Sequence, residues 1–282
     1  MEVKLQDGAL SVTVSTLGAE AVSAVYGGKE RLWQNDNGSW TGHSPVLFPV
    51  CGHCGVTVNG TSYPIRAHGF AKRKEFTVEK RGENFAEFVL RSDEETLKVF
   101  PFQFLFRVRY TVSGNALTVT CTVENPATTP AYFFCGGHPS FVLEGGVENY
   151  AVGFEREEKF LHLQHDENGY LTGETIDFGS GKKFPLPKEY LQEGRTVIFG
   201  NVRSRKIALT RLSGEKVAEL KFDGFPHLLL WRPNGANMIC LEPWQNLPDR
   251  ANVPDAEFSQ KSGVNCVPQG GQRTFTYEIK YY

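Results

Sequence analysis

Phe104-Leu105-Phe106-Arg107-Val108-Arg109-Tyr110-Thr111-Val112 and Leu117-Thr118-Val119-Thr120-Cys121-Thr122-Val123 are joined by Ser113-Gly114-Asn115 and a single alanine. In the first run Phe104, Phe106, Val108, Tyr110 and Val112 fall on one face, with Arg107, Arg109 and Thr111 on the other. In the second, Leu117, Val119, Cys121 and Val123 oppose three threonines. A period of two is the pattern of a strand with one face buried, and Ser-Gly-Asn supplies turn chemistry between two such strands. This hairpin sets the expectation for the whole chain.

The same grammar extends in both directions. Upstream, Leu10-Ser11-Val12-Thr13-Val14 alternates, Ala19 to Tyr26 follows, and Gly27-Gly28 turns the chain toward Leu32-Trp33. Val56 to Tyr63 reads as a hairpin around Asn59-Gly60, a pair that accepts the positive φ of a two-residue turn. Phe76 to Lys80 and Phe85 to Arg91 form another, and Ser92 with Glu95 is placed to cap one helical turn before Pro101. Downstream come Ala131 to Phe134, a looser polar stretch from Glu144 to Gly200 with strand candidates at Ala151 to Phe154 and Phe160 to Leu163, and a short helix over Lys188 to Glu193. Val197 to Phe199, a hairpin of Lys206 to Leu212 with Lys216 to Phe222, Leu228 to Trp231, Met238 to Trp244 and Thr274 to Tyr281 complete about twenty short strands. With no linker, repeat or low-complexity segment, the expectation is an all-β chain folded as one large sandwich over residues 1–282.

Composition removes several function classes. Formal net charge is −2 with pI near 6.4 and no basic stripe, which disfavours nucleic-acid binding. No apolar run approaches the ~20 residues needed to cross a bilayer, and Met1-Glu2-Val3-Lys4 opens no signal-peptide core, so the expected setting is cytoplasmic. The six cysteines are scattered among apolar neighbours and read as small core residues of a reducing compartment. Cys51-Gly52-His53-Cys54 has the spacing of half a zinc site, but no second pair matches it. No phosphate-binding loop, dinucleotide fingerprint or Gly-x-Ser-x-Gly elbow occurs, so neither a metal nor an organic cofactor is expected.

The candidate chemistry lies in a few short contexts. Glu242 sits inside the apolar run Met238-Ile239-Cys240-Leu241-Glu242-Pro243-Trp244. A carboxylate there is either a strand-end or salt-bridge residue, or a base whose pKa is raised by burial. His68 in Ala67-His68-Gly69-Phe70 and His138 in Gly137-His138-Pro139-Ser140-Phe141 share small neighbours and a trailing phenylalanine. Each is either a hydrogen-bonded structural histidine or a proton-transfer group beside an aromatic wall. Asp223, before Gly224, is either turn chemistry or a ligand contact, and His227 is equally open. Lys72-Arg73-Lys74 is either a solvated face or a contact for an anionic substituent.

In order, Pro45-Val46-Leu47-Phe48-Pro49, His68-Gly69-Phe70-Ala71, Gly137-His138-Pro139-Ser140-Phe141, Phe222-Asp223-Gly224-Phe225-Pro226 and Cys240-Leu241-Glu242-Pro243-Trp244 resemble the aldose 1-epimerase (galactose mutarotase) family, and within it the bacterial LacX-like branch. The resemblance spans about Leu10 to Tyr281. It implies a β-supersandwich with a sugar cleft and no cofactor in catalysis. It implies Glu242 as the base for the anomeric hydroxyl and His138 as the acid for the ring oxygen, with His68 and Asp223 binding the sugar. Independently of the resemblance, Phe70, Phe141 and Trp244 are the candidates for apolar walls against a sugar ring. Where relatives often carry Arg, this chain has His53 and Lys72, the latter a point donor without a guanidinium fork. The expected partner is a small sugar, either plain or phosphorylated, taken by a monomer or homodimer.

Overall fold

The computed structural model describes residues 1–192, 194–251 and 256–282. The founding hairpin forms as Leu105–Ser113 paired with Ala116–Glu124. Ser113 pairs with Ala116, so the turn contracts to Gly114-Asn115, and Gly114 takes the positive φ of 61° that this tight connection demands. Phe106, Val108, Tyr110, Val112, Leu117, Val119, Cys121 and Val123 are all buried, as the alternation requires.

Around this hairpin a sheet of fifteen strands is built. Its path runs Val46–Leu47, Gly136–Gly137, Met238–Trp244, His227–Trp231, Val197–Phe199, Tyr150–His165, Lys206–Arg211, Lys216–Lys221, Gln272–Tyr281, then Ala116–Glu124, Leu105–Ser113, Phe85–Arg91 and Thr77–Arg81. Ser140–Val142 also pairs with Met238–Trp244, and Leu171–Pro185 with Tyr150–His165. A second sheet of Glu2–Asp7, Leu10–Ser15, Glu20–Tyr26 and Lys29–Glu30 buries Val3, Leu5, Leu10, Val12 and Val14 in the same core as Phe88, Phe106 and Val108. The Tyr110 hydroxyl, donating to the Ala19 carbonyl at 2.6 Å, ties the two sheets together. This is an all-β supersandwich.

Three local expectations change. The helix near residue 95 spans Glu94–Val99, and its cap is Asp93 with Thr96, not Ser92 with Glu95. Asp93 accepts from the Thr96 N–H at 2.7 Å while the Thr96 hydroxyl serves the Asp93 backbone, which a short threonine does as well as a glutamate. The stretch read as loose is a continuous hairpin, Tyr150–His165 against Leu171–Pro185. Its outer strand is mostly exposed, with only Leu171 and Phe184 buried near its two ends, so no burial alternation marks it. The short helix covers Lys188–Leu191, and Glu193 lies outside the described residues. Among the described residues, no helix is long and apolar enough to cross a membrane.

Candidate active site

The site is organised on Met238–Trp244, whose seven residues are all buried because the strand lies deep in the large sheet. Alternation sorts its side chains. Ile239 and Leu241 point into the main core with Leu228 and Leu230, while Cys240, Glu242 and Trp244 take the other face. Glu242 stands opposite Leu229, and Trp231 opposite Cys240. Ile198, Leu229, Trp231, Glu242 and Trp244 together floor a cleft of about 380 Å³, at the small end of ligand sites.

On the other side, the strand's neighbour is broken into Gly136–Gly137 and Ser140–Val142. Leu241 N–H donates to Pro139 O across the break at 3.1 Å. Residue 243 has the same parity and would aim its N–H at that break, so Pro243 forfeits no ladder bond. Within the break His138 is pinned by its N–H to Pro45 O (3.0 Å), followed by Ser140 N–H to His43 O (3.0 Å). Gly137 must lack a side chain, because a Cβ there would lie 2.8 Å from the Tyr277 ring. The result brings His138 Nε2 to 3.3 Å from Glu242 Oε2.

Both groups are buried, and this dominates their titration. Burial pushes the Glu242 carboxyl well above the usual carboxylate range, opposed by the neighbouring Trp244 indole N–H and by the Lys72 charge. Burial, then Lys72, lowers His138 to about 3. Burial thus disfavours the charged form of both members, raising the carboxyl and lowering the imidazole toward one another's range. His138 Nδ1 is buried and has no hydrogen-bond partner among the described residues.

His68 joins them from Ala67-His68-Gly69. His68 and Gly69 both have positive φ (64° and 68°), and a Cβ at Gly69 would stand 2.1 Å from Phe48 O. His68 N–H donates to Gly52 O (2.9 Å) and Gly52 N–H donates back to His68 Nδ1 (3.2 Å). With Nδ1 accepting, the imidazole is neutral and carries its proton on Nε2, a donor free for a ligand. Burial, then the charges of His138 and Lys72, holds its pKa well below 6.5. The ring meets Trp244 edge-on at 5.3 Å and His138 at 5.6 Å.

Aromatic walls complete the cleft. Trp40 lies 5.2 Å from the His138 ring and 5.3 Å from Trp231. Trp33 Nε1 donates to Trp40 O (2.9 Å) and Trp231 Nε1 to Gly194 O (2.9 Å), fixing both walls. The rim includes His53, Lys72, Glu167, Asn168 and Thr196. His165, which also lines the cleft, is occupied structurally: Thr196 N–H donates to its Nε2 at 3.2 Å and its Nδ1 meets Asp166 O at 2.8 Å.

Glu242, His138, His68, Lys72 and Trp244 are thus brought together. Three expected residues are not, of which Phe141 is buried in the main core and lines no part of the cleft. Asp223 ends a strand in an exposed turn, paired with Lys221 at 3.3 Å and lining a separate surface depression, so the turn-chemistry alternative holds. Phe70 turns inward, with ring centroids 6.1 Å from Phe48 and 5.8 Å from Phe104, and lines no part of the cleft. Of the basic run, only Lys72 reaches the site. Arg73 Nη1 donates to Gly69 O at 2.9 Å, and Lys74 pairs with Asp93 at 3.5 Å. His227 borders a neighbouring depression of about 560 Å³ and accepts from Asn201 N–H at 3.1 Å. Trp231 was legible as the third residue of the 227, 229, 231 alternation. Trp40 carries no sequence signal.

These features define a class of protein first: a β-supersandwich with a buried acid–base pair under an aromatic cleft. The chain belongs to the aldose 1-epimerase family, whose profile matches residues 1–279. It is 32% identical over 265 residues to the plasmid-encoded protein LacX of Lactococcus lactis subsp. lactis, covering 88% of each chain. It superimposes on a galactose mutarotase-like protein from Lactobacillus casei with TM-score 0.92 and 26% identity, over 100% of both chains. A galactose mutarotase related enzyme from Lactobacillus acidophilus matches with TM-score 0.86 and 25% identity, over 100% of this chain and 97% of its own.

Proposed function

We propose that the protein is a cofactor-free mutarotase that interconverts the α and β anomers of an aldohexose. The observation that carries this reading is the buried Glu242–His138 pair at 3.3 Å, at the floor of the tryptophan-walled cleft. Anomer exchange needs one proton removed from the anomeric hydroxyl and one delivered to the ring oxygen, with no net change.

In the reactive complex, sugar hydroxyls and the Lys72 ammonium stabilise the Glu242 carboxylate, and His138 Nε2 carries the proton to be delivered. Glu242 then takes the proton of O1, the O1–H electrons form the C1=O1 bond, the C1–O5 bond breaks, and O5 takes the proton from His138. Rotation about C1–C2 exposes the other carbonyl face, and the steps reverse with the roles exchanged. His68 Nε2–H donates to a sugar oxygen, and Trp40, Trp231 and Trp244 offer apolar surfaces to the pyranose. With only one Lys or Arg lining the cleft among the described residues, the site favours an uncharged hexose over a phosphorylated one.

The test is polarimetry on freshly dissolved α-D-galactose and α-D-glucose, with spontaneous mutarotation as baseline. Glu242→Gln and His138→Asn are expected to abolish acceleration while sugar affinity stays within about tenfold, or about 1.4 kcal/mol. Acceleration that survives both substitutions defeats the assignment. Acceleration confined to glucose 6-phosphate would move the substrate to the phosphorylated class.

A further inference from the structure

Behind the acid–base pair lies a third group that the mutarotase mechanism does not use. Cys240 shares the face of its strand with Glu242, two residues on, and is completely buried. One ligand-capable atom each from His138, Cys240 and Glu242 lie within 4.8 Å of one another. We infer that His138, Cys240 and Glu242 form a binding site for a thiophilic divalent cation such as Zn²⁺, and that the bound ion blocks the sugar chemistry.

Three arguments support this. The first is geometry. Tetrahedral zinc takes bonds of about 2.0–2.3 Å, so its ligand atoms sit about 3.3–3.8 Å apart. The imidazole–carboxylate pair is already at 3.3 Å, and the widest separation must close by about 1 Å. The second is charge. A thiolate and a carboxylate supply −2 and the imidazole is neutral, so a divalent ion leaves the buried cluster uncharged and removes the penalty of burying either anion alone. Lys72 opposes a cation here, but with one charge against two. The third is access. His138 and Glu242 line the cleft, so the ion reaches them from solvent, and its remaining coordination position faces the space where a sugar oxygen would lie. Binding displaces the thiol proton of Cys240 and any proton held on Glu242 or His138.

The cation site is independent of the catalytic reading, and only the inhibition rests on it. The direct test therefore reads the metal. Cd²⁺ is titrated into the full chain, following the ultraviolet thiolate-to-cadmium charge-transfer band and proton release in weak buffer. One ion per chain, a chelator-reversible band and net release of protons are expected. Cys240→Ser and Cys240→Ala are each expected to lose the band and weaken binding at least tenfold. Two variants guard against one failing to fold. No band in the wild type, or a band that persists in both variants and so arises from another thiol such as Cys51 or Cys54, overturns the site. Zn²⁺ should also suppress mutarotation in the wild type and spare Cys240→Ala. A wild type with the cadmium band but no mutarotase activity would leave the site standing and defeat the catalytic reading.

Discussion

Replacing Glu242 by glutamine should stabilise the protein at neutral pH while removing its activity. The carboxyl is fully buried and its pKa is raised, chiefly by burial. In an unfolded chain a glutamate titrates near about 4.3. Above that pH the unfolded state gives up this proton and the folded state keeps it, so folding stability falls by about 1.4 kcal/mol per pH unit until the folded pKa is reached. A carboxyl that kept its proton up to pH 7 would accumulate a cost of at most a few kcal/mol, roughly 3–4. His138 works in the opposite sense. Its lowered pKa, about 3, contributes stability that is complete above about 6.5 and lost as the pH falls toward that value. Between about pH 4.3 and 6.5 the two slopes oppose each other, and above 6.5 only the glutamate slope remains. Glutamine keeps the volume and cannot ionise. Urea denaturation at pH 4, 5.5, 7 and 8 should therefore show the variant matching the wild type at the lowest pH and exceeding it by up to about 3–4 kcal/mol at pH 7, while polarimetric turnover drops about 10²–10⁴-fold. A variant that is less stable at pH 7, with the wild-type pH dependence intact, would refute the claim that Glu242 is held at an energetic cost for catalysis.

Lys72→Met removes a charge that favours the Glu242 carboxylate and disfavours the His138 imidazolium. The acidic limb of the kcat/KM profile should move to higher pH by about one unit or more, read by polarimetry across pH, and an unmoved limb would remove Lys72 from the electrostatics of the pair. Gly137→Ala forces a Cβ to 2.8 Å from the Tyr277 ring. Denaturation should show a loss of about 1–3 kcal/mol, with turnover falling more than tenfold as His138 is displaced. Asp223→Ala should leave kcat/KM within about twofold and stability within about 0.5 kcal/mol, because Asp223 lies in an exposed turn outside the cleft.

What could be read in the sequence follows from the range of the interaction that fixes each residue. Glu242 was legible because its seven-residue neighbourhood is apolar, and a lone carboxylate in such a run stands out. The Phe104 to Val123 hairpin was legible because burial on one face imprints a period of two. Phe70 misled because two successive residues with positive φ, His68 and Gly69, reverse the chain before it and turn its ring into the Phe48 cluster. Asp223 misled because Asp-Gly serves turns and ligands alike, and here Gly224 has φ of 86°. Trp40 was invisible, since its place depends on a bond from Trp33 and on rings from distant segments. The outer strand Leu171–Pro185 was missed because it is mostly exposed and buries only Leu171 and Phe184, near its two ends.

The sorting of side chains along Met238–Trp244 also bears on how this protein can change over generations. Leu241 and Glu242 are neighbours with opposite destinations, and the core and the cleft are built on the two faces of one ribbon. A point substitution at either position alters one face. Loss or gain of a single residue inside the strand exchanges the faces, driving a carboxylate into the phenylalanine-rich core and a leucine into the cleft. A change of length in the turns around the cleft, such as residues 165–169 and the segment around His53, leaves that sorting intact and alters only the rim.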